Sequence, residues 1–181
     1  MKKICLLVFF LIFLFSFNSN SSKTYAITES LSASQSSQQK VSYELPYPGL
    51  LPDSPLYFLK IIRDKTVGFL ISDPLRKAEF DLLQADKRLN AGIYLFNKGK
   101  TSLAISTVSK AENYFTQALD EMRDAKMQGR NIDEMKGKLR NALEKHKQEL
   151  EYIAQKVSAN FRAGFEKEQK RVTDFDRWLI H

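Results

Sequence analysis

The feature that most limits what this chain can fold into is a pair of apolar stripes at helical spacing, joined by a very short polar turn. Leu75, Ala78, Leu82, Ala85, Leu89, Ile93 and Phe96 recur at intervals of three and four, which is the signature of one buried helix face. Ala104, Val108, Ala111, Phe115, Ala118, Met122 and Ala125 repeat the rule in strict alternation, and the polar turn Asn97-Lys98-Gly99-Lys100 lies between the stripes. Asp73-Pro74 opens the first helix, the aspartate as cap acceptor and the proline where its missing N–H costs nothing. Gly99 suits the left-handed position after a helix, and the lysines suit its carbonyl end. Thr101 or Ser102 is expected to cap the second helix. So short a connection makes the two helices antiparallel neighbours, and the small residues of the second stripe favour close approach.

The first residues do not belong to this fold. Met1-Lys2-Lys3 is a short basic start and Ile4 to Phe17 an almost unbroken apolar run. Asn18 to Lys23 then turns polar, and Thr24-Tyr25-Ala26 offers small residues at the two positions a signal peptidase reads. A helix of that run covers roughly 21 Å, short of a ~30 Å hydrocarbon core. The expectation is a cleaved secretory signal over residues 1–26, with Leu31-Ser32-Ala33 as a later cleavage option. The remainder is then secreted or extracytoplasmic, in the cell envelope; the alternative is an N-terminal membrane anchor formed by an uncleaved signal.

The single cysteine, Cys5, lies near the start of the apolar run, where a lipid-bearing cysteine would instead follow it. Cleavage leaves no disulfide, no thiol nucleophile and no cysteine metal site. It also removes Lys2, Lys3 and Lys23 and no acid, taking the net charge from +7 to +4. Acids and bases alternate along the helices rather than forming blocks, the pattern of a solvated helical surface. Nucleic acid is therefore not an expected partner.

Ile27 to Lys40 is Ser/Gln-rich, and residues 27–45 read as a disordered linker. From Val41 to Pro52, three prolines and Gly49 dictate an extended strap. Tyr43, Leu45, Tyr47, Leu50 and Leu51 can pin it to the helices. Ser54-Pro55 then starts a helix, Ser54 as cap and Pro55 as first residue, running through Ile61, Ile62, Val67, Phe69 and Leu70 to Ser72.

The run Leu51-Pro52-Asp53-Ser54-Pro55-Leu56-Tyr57-Phe58-Leu59-Lys60 resembles the opening of a bacterial family of exported helical domains of unknown function. Its signature is Leu-Pro-x-Ser-Pro-Leu-Tyr-x-x-Lys; Pro74, Arg88-Leu89 and Gly99 continue the match, which extends over roughly Pro48 to Leu119. The resemblance implies a short first helix, an Asp/Glu-Pro helix start and a helix pair with a Gly-containing turn, all outside the cytoplasm. It implies no activity. Gly92, Leu95, Ala104, Val108 and Ala111 also fall near the spacing of one tetratricopeptide repeat. Arg88 stands where that repeat wants a large apolar residue and no second copy follows, so a plain hairpin explains the same positions.

Gln128-Gly129-Arg130-Asn131 breaks the second long helix. Ile132, Met135, Leu139, Ala142, Leu143, Leu150, Ile153 and Val157 mark the next, from Ile132 to Val157, with Gly137 loosening its first turns. Phe161, Phe165, Val172, Phe175 and Leu179 mark a last one from Ala159 to Leu179, its stripe interrupted by Glu168. Ser158-Ala159-Asn160 holds neither Gly nor Pro, so a single helix of about 72 Å over residues 132–179 is the competing expectation. Such an arm would need a partner or a second copy.

No motif carries chemistry. There is no G-x-S-x-G, H-E-x-x-H, Walker or G-x-G-x-x-G pattern, and no Glu-x-x-His of a di-metal bundle. His146 falls near the apolar seam with no second ligand at helical spacing, which is the position of a packing histidine. Glu79 and Asp86, like Glu144 and Glu151, lie seven apart and could each share a helix face, but nothing selects a pair. Tyr94, Tyr114, Phe115, Tyr152, Phe161 and Phe165 either complete the bundle or form an aromatic contact surface.

The expectation is an all-α protein, an antiparallel hairpin extended to a four- or five-helix bundle. It has a family-like domain over residues 46–127 and a C-terminal helical segment over 128–181. It is not expected to be an enzyme, and no catalytic, cofactor-binding or metal-binding residue and no cofactor is assigned. The function that fits is an extracytoplasmic protein-interaction or structural module, and the alternative is binding at the cell envelope or a membrane surface. Partners are then an unknown protein or envelope component, a membrane surface, or a second copy in a homo-oligomer.

Overall fold

The computed structural model describes residues 43–180. The expected signal over residues 1–26, Cys5 and the linker up to residue 42 lie outside the described residues. Those described form five helices and no strand: α1 (Tyr57–Leu70), α2 (Pro74–Asn97), α3 (Thr101–Met127), α4 (Asp133–Lys156) and α5 (Ala159–Ile180).

The hairpin is α2 and α3. Asp73 caps α2 by accepting the Arg76 amide at 3.0 Å, with Pro74 at the first position. Gly99 takes φ +75° after α2, where the Gly99 amide donates to Phe96 O and the Lys100 amide to Leu95 O at 2.8 and 2.9 Å. Gly129 repeats that closure after α3, at φ +76°. All seven residues of the second stripe are buried, and of the first stripe Ala78, Leu82, Ala85 and Leu89. Leu75, Ile93 and Phe96 sit at the rim, while Ala91 and Leu95 are buried in addition. Close approach is real: a Cβ on Gly92 would meet Val108 Cγ2 at 2.6 Å. Two helix starts differ from expectation. Neither Thr101 nor Ser102 caps α3, which begins at Thr101 after Lys100 with no side-chain cap. Ser54 does not start α1; residues 51–56 turn first, with the Tyr57 amide donating to Ser54 O, and α1 begins at Tyr57.

Residues 132–179 are two helices, which corrects the long-arm alternative. Val157 is extended, at ψ 144°, and buried, and the chain restarts with the Phe161 amide donating to Ser158 O at 3.0 Å. Folding back buries Phe165, Val172, Phe175 and Leu179, a gain that outweighs local helix propensity. Phe161 is the exception on that stripe and stays exposed, whereas Glu168 goes in.

Inter-helix contacts fix the arrangement. α4 runs alongside α2 in the same direction, pairing Lys138 with Glu79 and His146 with Asp86. α5 runs alongside α3, with Ile105 against Gly164, Phe115 stacked on Phe175 and Arg123 by Trp178. The four helices form a bundle in the cyclic order α2, α3, α5, α4, so α2 and α5 lie diagonally. α1 lies outside it and, among the described helices, packs on α2. The strap follows α2: Tyr43 Oη donates to Asp86, Asn90 to Pro46 O, and Lys98 and Lys100 pair with Asp53.

Candidate functional site

His146 lies at the centre of the bundle, fully buried, with Nδ1 2.9 Å from Glu112 Oε1 and Nε2 3.0 Å from Asp86 Oδ1. A neutral imidazole has one donor nitrogen, so a carboxylate at each nitrogen calls for the imidazolium. Burial alone pushes its pKa down; Glu112 and Asp86 overcome that and hold it up, to about 9. Tyr43 Oη gives Asp86 a further bond of 2.6 Å, and burial, with Asp86, raises the tyrosine pKa. Phe115 meets the imidazole edge at 5.0 Å, and Arg171 of α5 donates to Glu112 O and Thr116 Oγ1. The expected packing histidine is therefore in the core, held by ion pairs rather than by apolar contact. With both nitrogens taken and no exposed atom, it meets no solute unless the bundle opens. The carboxylate pairs do not form sites either. Asp86 is buried here while Glu79 faces solvent against Lys138, and Glu144 and Glu151 are exposed.

The unusual surface is α1. A surface helix normally turns its apolar stripe to the core and its charges to water. In α1 the order is reversed. Its buried residues are Lys60 and Asp64, 7% and 4% exposed, whereas Ile62 is 58%, Leu70 71% and Phe69 87% exposed. Phe58, Leu59 and Val67 are exposed as well. Phe58, Ile62 and Phe69, spaced four and seven apart, share one line along the helix.

What pulls the polar side inward is visible residue by residue. Lys60 Nζ donates to Pro48 O at 2.5 Å and Leu50 O at 3.4 Å, clamping the strap, and burial lowers its pKa to about 8. Asp64 accepts from Arg63 at 2.8 Å and faces Arg88 at 3.9 Å. Arg88, buried on α2, also bonds Gln84 Oε1 at 2.7 Å and lies 4.1 Å from the centre of the Tyr114 ring. Tyr57 joins the same cluster, its pKa raised chiefly by burial. The run from Leu51 to Lys60 thus fastens strap to helix, with Lys60 and Asp64 turned in while Arg63 and Lys65 stay exposed.

A family model described as a domain of unknown function, DUF5667, matches residues 49–160. The chain belongs to that family. Membership of a family of unknown function agrees with the resemblance, and the matched stretch reaches beyond residue 119 to take in all of α4. The DUF5667 region holds the strap's end, α1 and the buried His146 cluster, while α5 falls outside it except for Ala159 and Asn160. No curated protein and no solved structure matches the chain.

The outward face of α1 was not singled out in the sequence. The available signal was Lys60 and Asp64 at i and i+4 inside an otherwise apolar segment, together with Arg88 on the apolar stretch of α2. Such a set says that two polar faces meet. The aromatic residues expected to complete the bundle or form a contact surface divide: Phe115 and Phe165 are core, Tyr114 is half-buried under Arg88, and Tyr94, Tyr152 and Phe161 are exposed. Among the described residues no helix is long and apolar enough to cross a membrane, and no group of three or more His, Cys, Asp or Glu is placed to hold a metal ion.

Proposed function

We propose that this DUF5667 protein is a non-enzymatic interaction module working outside the cytoplasm, with the outward face of α1 as its contact surface. The observation that carries this is the inversion of α1: a helix that buries Lys60 and Asp64 while presenting Phe58, Ile62 and Phe69 to solvent. Contiguous exposed apolar surface of this kind marks binding sites on otherwise soluble folds. The four-helix bundle supplies a rigid platform, and Asp86, Glu112 and His146 are spent on one another inside it. The basic start and apolar run before Phe17 support export.

The test is a variant with Phe58, Ile62 and Phe69 all replaced by serine, bearing a photo-crosslinking residue at position 59. Its thermal midpoint is expected to stay near that of the parent chain, since these side chains contribute little to the core. Crosslinks formed in the producing cell from position 59 are expected to disappear, while an exposed control at Ala163 on α5 forms none in either protein. A collapsed midpoint would show that the face is core, and undiminished crosslinking would show that Phe58, Ile62 and Phe69 do not make the contact.

A further inference from the structure

We infer that the α1 face docks flat onto a lipid bilayer containing anionic headgroups; this rests on α1 being the contact surface. Length comes first. With 14 residues α1 rises roughly 21 Å, too short to cross a ~30 Å hydrocarbon layer but suited to lying in its interface. Charge comes second. The exposed ionisable residues of α1 are Arg63 and Lys65, on either side of the Phe58–Ile62–Phe69 line; its one acid, Asp64, is turned inward and bonded to Arg63, which leaves Lys65 unmatched within the helix. An apolar centre flanked by cations is the pattern of helices that sink into an anionic interface, where apolar burial and headgroup attraction act together. Beyond Leu70, Arg76 borders the same end of the helix. The acids there are matched: Asp73 by Arg130 and Glu79 by Lys138.

The same charges disfavour a second copy as occupant. A two-fold contact through this face would bring together Arg63 and Lys65 of both chains with no exposed acid of α1 to meet them, and like charges across an interface oppose association. An anionic bilayer has the complementary sign without demanding a shaped pocket. The basic and apolar stretch from Met1 to Phe17 directs the chain to a membrane whether or not it is later removed, so α1 has a bilayer within reach.

The experiment reads α1 locally, so that insertion of the N-terminal run cannot imitate it. The full chain carrying Cys5→Ser receives a single cysteine by Ile62→Cys, or by Ala163→Cys on α5 as control, and each is labelled with an environment-sensitive fluorophore. Vesicles of phosphatidylcholine, with or without a quarter phosphatidylglycerol, carry a lipid-borne quencher. Quenching at position 62 is expected to exceed that at 163 several-fold on the anionic vesicles, to weaken as salt is raised, and to fall with Arg63→Glu plus Lys65→Glu. Equal quenching at the two positions would overturn the inference. So would a label at 62 that is immobilised without lipid in a dimer by light scattering, an outcome that keeps α1 as an interface and replaces its partner. If positions 62 and 163 quench equally and the crosslinks from position 59 survive the triple serine change, the contact surface itself is lost along with the bilayer.

Discussion

Glu112 and His146, thirty-four residues apart in sequence, meet at 2.9 Å inside the bundle with neither exposed, and Asp86 closes the other side of the ring at 3.0 Å. Two carboxylates and one imidazolium, all desolvated, tie α2, α3 and α4 together. Such an arrangement contributes through mutual dependence: taking away the cation leaves two uncompensated buried anions.

His146→Gln is therefore expected to destabilise the protein by about 3–5 kcal/mol, read from denaturant midpoints at neutral pH. The pH profile gives a second check. His146 titrates at about 9 in the fold against 6.5 unfolded. Its contribution, on the order of 3 kcal/mol, is whole below about 6.5 and is lost as pH rises through 9. Lys60 acts with the opposite sign, because a lysine held down to about 8 by burial lets stability recover as pH rises above that value. The difference between parent and His146→Gln profiles isolates the histidine. A difference that does not shrink between pH 6.5 and 9 would mean that the ring is neutral in the fold.

Leu89 and Phe115 lie at the middle of the paired stripes and neither is exposed. Leu89→Ala and Phe115→Ala are each expected to cost about 2–5 kcal/mol. Phe115 falls toward the upper end because it also stacks on Phe175 at 5.2 Å and meets His146. Unchanged denaturation midpoints would take both residues out of the core.

The apolar periodicity made the bundle legible, since every residue of the Ala104–Ala125 stripe is buried. Asp73-Pro74 and Gly99 were legible for a related reason, as their roles depend on backbone chemistry within a few residues. The break at Val157 was only half legible. It contains neither Gly nor Pro, and what bends the chain there is the burial of Phe165 and Val172 far downstream. The candidate site was the least legible part. Periodicity shows that α1 has two unlike faces but not which one turns inward. That choice is made by Arg88 and Tyr114, on other helices, and by the strap carbonyls of Pro48 and Leu50, which periodicity within α1 does not register. The ion pairs of His146 escaped for the same reason: Asp86 and Glu112 stand on other helices.

Two glycines in helices should respond in opposite directions. A Cβ at Gly92 meets Val108 Cγ2 at 2.6 Å and Ala104 O at 3.5 Å, and Val108 is a stiff, fully buried side chain. Gly92→Ala is expected to cost about 1–3 kcal/mol through overpacking. Gly137 has open space around the same atom, so Gly137→Ala is expected to raise stability by up to about 1 kcal/mol through helix propensity. Thermal unfolding of both variants beside the parent checks the pair. Equal effects would show that the α2–α3 crossing is looser than 2.6 Å implies.

The last prediction concerns what holds α1 in its inverted pose. Arg88 faces Asp64 at 3.9 Å, and among the described helices α1 packs on α2. Arg88→Ala leaves Asp64 with Arg63 alone, whose side chain is largely in solvent, so the carboxylate is driven toward water. A buried pair broken on one side costs about 3–5 kcal/mol, and the small α1–α2 contact supplies little to resist it. The helix is expected to detach while the bundle stays folded, because the core of α2 to α5 does not include α1. Amide hydrogen exchange separates the two. Protection over residues 57–70 should fall by more than tenfold in Arg88→Ala, with α3 amides around Phe115 changed far less. Uniform loss across the chain would make Arg88 a support of the whole bundle. Unaltered protection in α1 would mean that the helix is held by Lys60 and the strap, and that the Asp64–Arg88 pair follows its orientation rather than sets it.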